Sequence, residues 1–171
     1  MTTTSLIINL VLALVLAIAC TTDLRKRRIP NLLTFPTILL GLVLNLAFSG
    51  FDGLRDSAFG TGTALLMLAP LFVLRWMGAG DVKLMMAIGA LEGPEFAFYA
   101  CLWAAVCGAV IALIGLIRAR RLTLSLQHLY YSRLLPSTDG SFMTGSWRMP
   151  YAPAIALGCA LVLAGLRGLA L

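Results

Sequence analysis

Residues 5–22, SLIINLVLALVLAIACTT, form an apolar run without a single charged side chain. A helix that crosses the hydrocarbon core of a bilayer needs about 20 predominantly apolar residues, so this run is long enough for one crossing. The next six residues, 23–28, read DLRKRR and end the run abruptly. This stretch predicts a membrane-spanning helix with a charged boundary, and the rest of the chain follows the same plan.

The first run could instead be a lipoprotein signal peptide, because residues 17–20, AIAC, loosely resemble its cleavage box. Its leader, residues 1–5, carries no positive charge, and the box lacks the usual leading leucine. We therefore expect an uncleaved first span.

The composition excludes an ordinary soluble enzyme. Of the 171 residues, 60% are hydrophobic and 12% charged, against about 25% charged in soluble domains. The net charge of +6 does not indicate a nucleic-acid partner, because the basic residues lie in short clusters between apolar runs. The four cysteines, at positions 20, 101, 107 and 159, stand alone in apolar stretches. They predict neither a disulfide framework nor a metal site, and we expect no cofactor.

Six apolar segments predict an all-α integral membrane protein with one transmembrane domain over residues 1–171. They lie near residues 5–22, 32–49, 57–75, 82–92, 96–117 and 151–170. The fourth segment is short and covers only about half of a ~30 Å hydrocarbon core. A polar turn at residues 92–95 separates it from the fifth; the alternative is one kinked helix over 82–117. The long connection, 118–149, has apolar residues at helical spacing and predicts an amphipathic segment in the headgroup layer.

The charges between these segments predict which way the protein faces. Loops after the first, third and fifth segments hold eleven of the thirteen lysines and arginines. Basic residues concentrate on the cytoplasmic side of membrane proteins. Both termini are therefore expected outside the cytoplasm. The opposite loops hold Arg55 and Arg167 with the acids Asp52, Asp56, Glu92 and Glu95.

Three of the seven acids lie outside the outer turns. Asp139 belongs to a turn signature, and Asp23 and Asp81 each lie at a predicted cytoplasmic helix end. Acids at membrane depth tend to mark function. The alternative is local charge balance with the bases that follow, including Lys83. The glycines of Gly78-Ala79-Gly80-Asp81 favour a functional site, because they permit a close backbone approach or positive φ. Helix packing at these glycines is the structural alternative.

Two facing carboxylates can share one proton and hydrolyse a peptide bond without a metal ion. The ionised carboxylate deprotonates a water that attacks the carbonyl carbon, and the protonated one donates to the carbonyl oxygen. The pair titrates as a unit, so the sequence does not assign the base. The one histidine, His128, lies in the predicted amphipathic connection, and no serine lies in a nucleophile-elbow motif.

Three blocks carry a specific resemblance. Asp23-Leu24-Arg25-Lys26-Arg27-Arg28-Ile29-Pro30-Asn31, Gly78-Ala79-Gly80-Asp81-Val82-Lys83 and Pro150-Tyr151-Ala152-Pro153 occur in this order, each at a predicted cytoplasmic helix boundary. In these blocks the chain resembles the type IV prepilin peptidases, GxGD-type aspartic proteases of bacterial inner membranes.

The resemblance implies a catalytic pair, Asp23 and Asp81, with Gly78 and Gly80 shaping the loop that presents Asp81. Lys83 matches the lysine usual after the motif and would tune or orient the site. The implied reaction is cleavage, at the cytoplasmic membrane face, of the basic leader of prepilins or pseudopilins. The larger family members carry an early cytoplasmic segment associated with N-methylation. Residue 23 comes too early for that segment, so the chain looks like the short, peptidase-only form of Flp-type pilus systems.

The residues alone leave two other interpretations of the function open. A presenilin or signal-peptide-peptidase relative also uses GxGD, but Thr22 stands where that family has tyrosine and no Pro-Ala-Leu motif occurs. A small transporter or a non-catalytic pilus assembly subunit would share the polytopic architecture and acids that could carry protons. Against transport, both acids lie at one predicted boundary.

Overall fold

The computed structural model describes residues 3–26, 29–74, 77–118 and 151–165, and within these ranges it contains helices and no strands. The predicted all-α class is confirmed. The amphipathic connection predicted beyond residue 118 and residues 166–170 of the sixth predicted segment lie outside the described residues. The helices are α1 (Thr3–Lys26), α2 (Asn31–Val73), α3 (Ala79–Glu92), α4 (Pro94–Arg118) and α5 (Ala152–Leu163).

Three of the described helices, α1, α2 and α4, are long and apolar enough to cross a membrane. The remaining two, α3 and α5, have 14 and 12 residues. At 1.5 Å per residue they extend only about 21 and 18 Å, less than a ~30 Å hydrocarbon core. The shortness predicted for the fourth segment is therefore present, and the last helix shares it.

Helix α2 is a hairpin of two arms. Its 43 residues would extend about 65 Å if straight, but Gly50, with φ 65° and ψ −146°, breaks it. The arms correspond to the segments predicted at 32–49 and 57–75. The connection predicted between them is wrong, because the helix resumes directly after Gly50. A glycine can adopt this positive φ without a Cβ clash, so one residue suffices for the break.

The two arms of α2 run in opposite directions along α3. In the first arm, Asn31 contacts Lys83 near the start of α3 and Asn45 contacts Leu91 near its end. In the second arm the order is reversed, because Ser57 contacts the end of α3 and Thr61 an earlier turn. Helix α3 therefore lies against both arms of the hairpin.

Small residues make this close packing possible. The buried positions of α2 recur at helical spacing and are mostly glycine, alanine, serine and threonine. A Cβ added to Gly41 would lie 2.8 Å from the carbonyl carbon of Ala90, so the helix backbones almost touch. Large apolar side chains instead point outward; Leu32, for example, is 87% exposed. Small residues inside and large apolar ones outside are typical of helices packed within lipid.

The ends of three helices differ from the predicted boundaries. Helix α3 begins at Ala79 instead of 82, so Asp81 lies inside the helix. Helices α3 and α4 are separated by Gly93, at φ 89°, and Pro94 opens α4, so the single kinked helix over 82–117 is wrong. Helix α5 ends at Leu163, because Gly165 adopts a φ of 91° just after its end.

Candidate active site

Asp23 lies near the C-terminal end of α1, on the face that packs into the protein. The buried residues Leu12, Leu16, Ala19 and Asp23 recur at spacings of three and four, which places them on one face of a helix. Asp23 is 6% exposed, although the neighbouring Arg25 and Lys26 are exposed. The carboxylate is therefore enclosed by the protein and is separated from its basic neighbours in the sequence.

The carboxylate of Asp23 is held by the start of α5. The backbone N–H of Ala152 donates a hydrogen bond of 3.0 Å to Asp23 Oδ2, and both residues are buried. Ala152 is the first residue of α5, so its N–H has no partner within the helix. A negative charge at a helix N-terminus is also favoured by the helix dipole. This contact joins residues 129 positions apart in the chain.

Asp81 lies in the first turn of α3, three residues after Gly78, the residue that caps the helix N-terminus. Its carboxylate hydrogen-bonds back to the backbone of Gly78. An acidic side chain at this position that bonds back to the cap is one half of a capping box, and it suits the helix dipole. The same residue thus stabilises the start of α3 and presents a carboxylate there.

The structure brings the two aspartates together. Asp23 and Asp81 lie close enough for the charge of one to act on the other. The phenol of Tyr151, directly before α5, also interacts electrostatically with Asp81. The start of α5 thus lies beside both carboxylates: the Ala152 backbone bonds to Asp23, and the Tyr151 phenol interacts electrostatically with Asp81.

The two glycines of the motif have different structural roles from those expected. Gly78 has an ordinary extended backbone, with φ −74° and ψ 147°, and Gly80 is helical, so neither uses the expected positive φ. The loop expected to present Asp81 is a helix start instead. Gly80 does allow a close approach, because a Cβ there would lie 3.2 Å from the Cβ of Ile29. The approaching segment belongs to this chain, just before α2.

Lys83 points away from Asp81. Its ammonium group donates a 3.0 Å hydrogen bond to Asn31 Oδ1 and lies 5.0 Å from the centre of the Phe35 ring. Residues two apart on a helix do not share a face. Lys83 therefore links the start of α3 to the first arm of α2. Within the described ranges, no ion pair joins it to Asp81.

The sequence motifs did not assign roles to the N–H of Ala152 or the ring of Tyr151, although both stand in the third block. A usable signal was present: Pro153 favours a helix start, which leaves the Ala152 N–H available. The four cysteines are free thiols. In the part of the chain that the structure describes, no group of three or more His, Cys, Asp or Glu residues could hold a metal ion.

The fold and the site define a class of all-helical, membrane-type proteins with paired carboxylates at the ends of two helices. Residues 10–113 match the type IV leader peptidase family, which is more than half of the chain. The chain belongs to this family. The family resemblance drawn from the sequence is thereby confirmed. The matched residues include both aspartates but end before α5.

Two curated relatives are both named prepilin leader peptidase/N-methyltransferase. One, from Burkholderia pseudomallei (strain 1026b), is 32% identical over 108 residues, covering 57% of this chain and 34% of the relative. The other, from Aeromonas hydrophila, is 35% identical over 108 residues, covering 57% and 36%. The match thus extends over about a third of each relative's length. No solved structure matches the chain.

Proposed function

We propose that this protein is a membrane-embedded aspartic endopeptidase that removes the leader peptide of type IV prepilins or pseudopilins, of the Flp-like kind. The observation that carries the proposal is the meeting of Asp23 and Asp81 from two distant parts of the chain. The family membership supports the reaction class, and the relatives' names supply the substrate class. Those names combine two activities; we assign the peptidase to the matched region, because it holds both aspartates.

The proposed reaction is the hydrolysis of one peptide bond by a water molecule. The ionised aspartate takes a proton from the water, and the oxygen attacks the carbonyl carbon. The protonated aspartate donates to the carbonyl oxygen, and collapse of the tetrahedral intermediate sends a proton to the leaving amine. The bond from the Ala152 N–H to Asp23 Oδ2 orients this carboxylate, and the pair as a unit supplies the base and the acid. Two carboxylates this close favour sharing one proton over ionising together.

The polypeptide substrate would reach this site from the lipid. A prepilin with a basic leader and an apolar helix can lie in the bilayer with its cleavage site at the membrane surface. We propose six spans in one domain, with both termini outside the cytoplasm and the site facing the cytoplasm at the inner membrane. The two arms of α2 and the short α3 and α5 supply the spans beyond the long α1 and α4. The bases near Asp23 support this orientation.

Gly80 and Lys83 would act as positioning residues for Asp81. The Ile29 contact at Gly80 and the bond from Lys83 to Asn31 both hold the start of α3 against the segment that leads into α2. Gly78 would contribute its backbone to the Asp81 carboxylate. None of the three need touch the substrate.

Co-expression with a Flp-type prepilin, with leader removal followed by mass, tests the proposal. Asp23→Asn and Asp81→Asn should each abolish cleavage while the protein still inserts into the membrane. Asp52→Asn, at an exposed acid in the turn of α2, is the matched control and should cleave normally. Cleavage that survives either test substitution would instead favour a transporter or an assembly subunit.

Metal dependence provides an independent test. The proposed mechanism uses two carboxylates and a water, so cleavage should persist in excess EDTA. A reagent that esterifies carboxylates should abolish it, and a strict requirement for an added divalent ion would contradict the mechanism.

A further inference from the structure

We infer that the ring of Tyr151, seated against Gly108 of α4, is a positioning element that holds the α5 N-terminus against Asp23. The atom nearest to a Cβ built on Gly108 would be the hydroxyl oxygen of Tyr151, and the Cβ would also lie 2.6 and 2.8 Å from Cζ and Cε2 of the ring. The ring therefore occupies the space that any side chain at position 108 would need. We call this contact between Gly108 and the Tyr151 ring the ring seat.

The ring seat lies one residue from the contact that holds Asp23. Tyr151 precedes Ala152 directly, and the Ala152 N–H is the donor to Asp23 Oδ2. The backbone of Tyr151 is already helical, with φ −92° and ψ −19°, so ring and donor form one continuous turn. A shift of the ring that moves the Tyr151 backbone would therefore move the donor, and Asp23 with it. Catalytic rates are sensitive to errors of this kind; a misplacement of about 1 Å can cost about a hundredfold.

The hydroxyl end of the ring, oxygen and carbons together, makes the seat, and the ring also borders apolar side chains. Tyr151 lines a small apolar cavity with Leu71, Met77 and Met85, among others. Apolar neighbours of this kind pack against a phenyl ring as well as against a phenol. Phenylalanine at position 151 should therefore keep the ring-carbon part of the seat and lose the hydroxyl part, whereas alanine should empty it.

The experiment compares four variants in the prepilin-cleavage assay. Tyr151→Ala and Gly108→Ala should each lower kcat by about tenfold or more. Tyr151→Phe keeps the ring but loses the hydroxyl group that interacts with Asp81, so it should lower kcat less than Tyr151→Ala does. KM should change little, because the ring orients Asp23 and does not bind the leader. The double variant should be no slower than Tyr151→Ala alone, since the added methyl group then meets no ring.

Gly158→Ala is the matched control. Gly158 is another close glycine between α4 and α5, where a Cβ would lie 2.7 Å from the backbone N of Ala104. Its effect on thermal stability in detergent should be the same with tyrosine or alanine at position 151. The effect of Gly108→Ala on stability should depend on which residue stands there. This readout works even if Gly108→Ala weakens folding.

The inference rests on the proposed peptidase function, but the two can fail separately. If the unmodified protein does not cleave prepilin, the proposed function falls, and the coupling between positions 108 and 151 in thermal stability still tests the ring seat. If the unmodified protein cleaves but Tyr151→Phe is as slow as Tyr151→Ala, the hydroxyl carries the role and the ring seat is wrong. Additive effects of Gly108→Ala and Tyr151→Ala would also refute it.

Discussion

Replacing Gly60 with alanine should destabilise the contact between α2 and α3. The atom nearest to a Cβ at Gly60 would be the carbonyl oxygen of Gly89, and the Cβ would also lie 2.7 Å from the carbonyl carbon of Gly93 and 2.8 Å from that of Gly89. All three are backbone atoms, so no side chain can rotate away. Restoring an ordinary 3.4 Å separation from the Gly93 carbon alone would require the second arm of α2 to move by about 0.7 Å, against an interior that is already close-packed.

Gly62 provides the matched control, because it lies two residues further along the same helix and a Cβ there meets nothing within 4 Å. Both substitutions gain about 0.5–1 kcal/mol from replacing a helical glycine. This gain cancels when the two variants are compared. The difference in free energy of unfolding is then the cost of overpacking, about 1–3 kcal/mol.

Equilibrium unfolding in mixed micelles, titrated with SDS, measures this difference. Gly62→Ala should unfold at the same or a higher SDS fraction than the unmodified protein, and Gly60→Ala at a lower one. Equal stability of the two variants would refute the close packing of α3 against the second arm of α2 at Gly60.

Two further predictions use the same unfolding assay. The losses in free energy of unfolding caused by Lys83→Met and Asn31→Ala should be non-additive, with a coupling of about 0.5–1.5 kcal/mol, because each substitution removes the same hydrogen bond. Strictly additive losses would mean that this bond contributes nothing to stability. Gly93→Ala and Gly93→Asn should each lower the free energy of unfolding by about 1–3 kcal/mol. The backbone of Gly93, with φ 89° and ψ −179°, has a conformation that essentially only glycine adopts. Rescue by asparagine would show that the turn there is an ordinary left-handed one.

The sequence predicted the parts of the site that lie at helix ends. The uncharged run over 5–22 and the charges that follow it marked the end of α1, where Asp23 lies. A run that is apolar on every side does not show which face packs inward, so the face that Asp23 shares with Leu12 and Leu16 came from the structure. The pairing of Asp23 with Ala152 lay beyond such reasoning, because it joins the two ends of the chain and depends on how α5 packs.

Local glycine chemistry was the main source of error. The family resemblance implied a loop at Gly78 and Gly80 that presents Asp81, and the low helix propensity of glycine would suit such a loop. A helix forms there instead, because the Asp81 carboxylate bonds to the backbone of Gly78 and Ile29 packs closely over Gly80. At Gly50 the error was opposite: a longer connection was expected where one positive-φ glycine is sufficient.

The burial of α3 has a consequence for how the protein is made. Eight of its 14 residues are buried, and the side chains of Asn45 and Ser57, one from each arm of α2, bind the carbonyl oxygen of Ala90 near its C-terminal end. A helix this short gains little from lipid alone. Both arms are synthesised before it, so during translation they can form the surface into which α3 inserts. Membrane insertion of the segment that carries Asp81 is thereby tied to prior assembly of the hairpin.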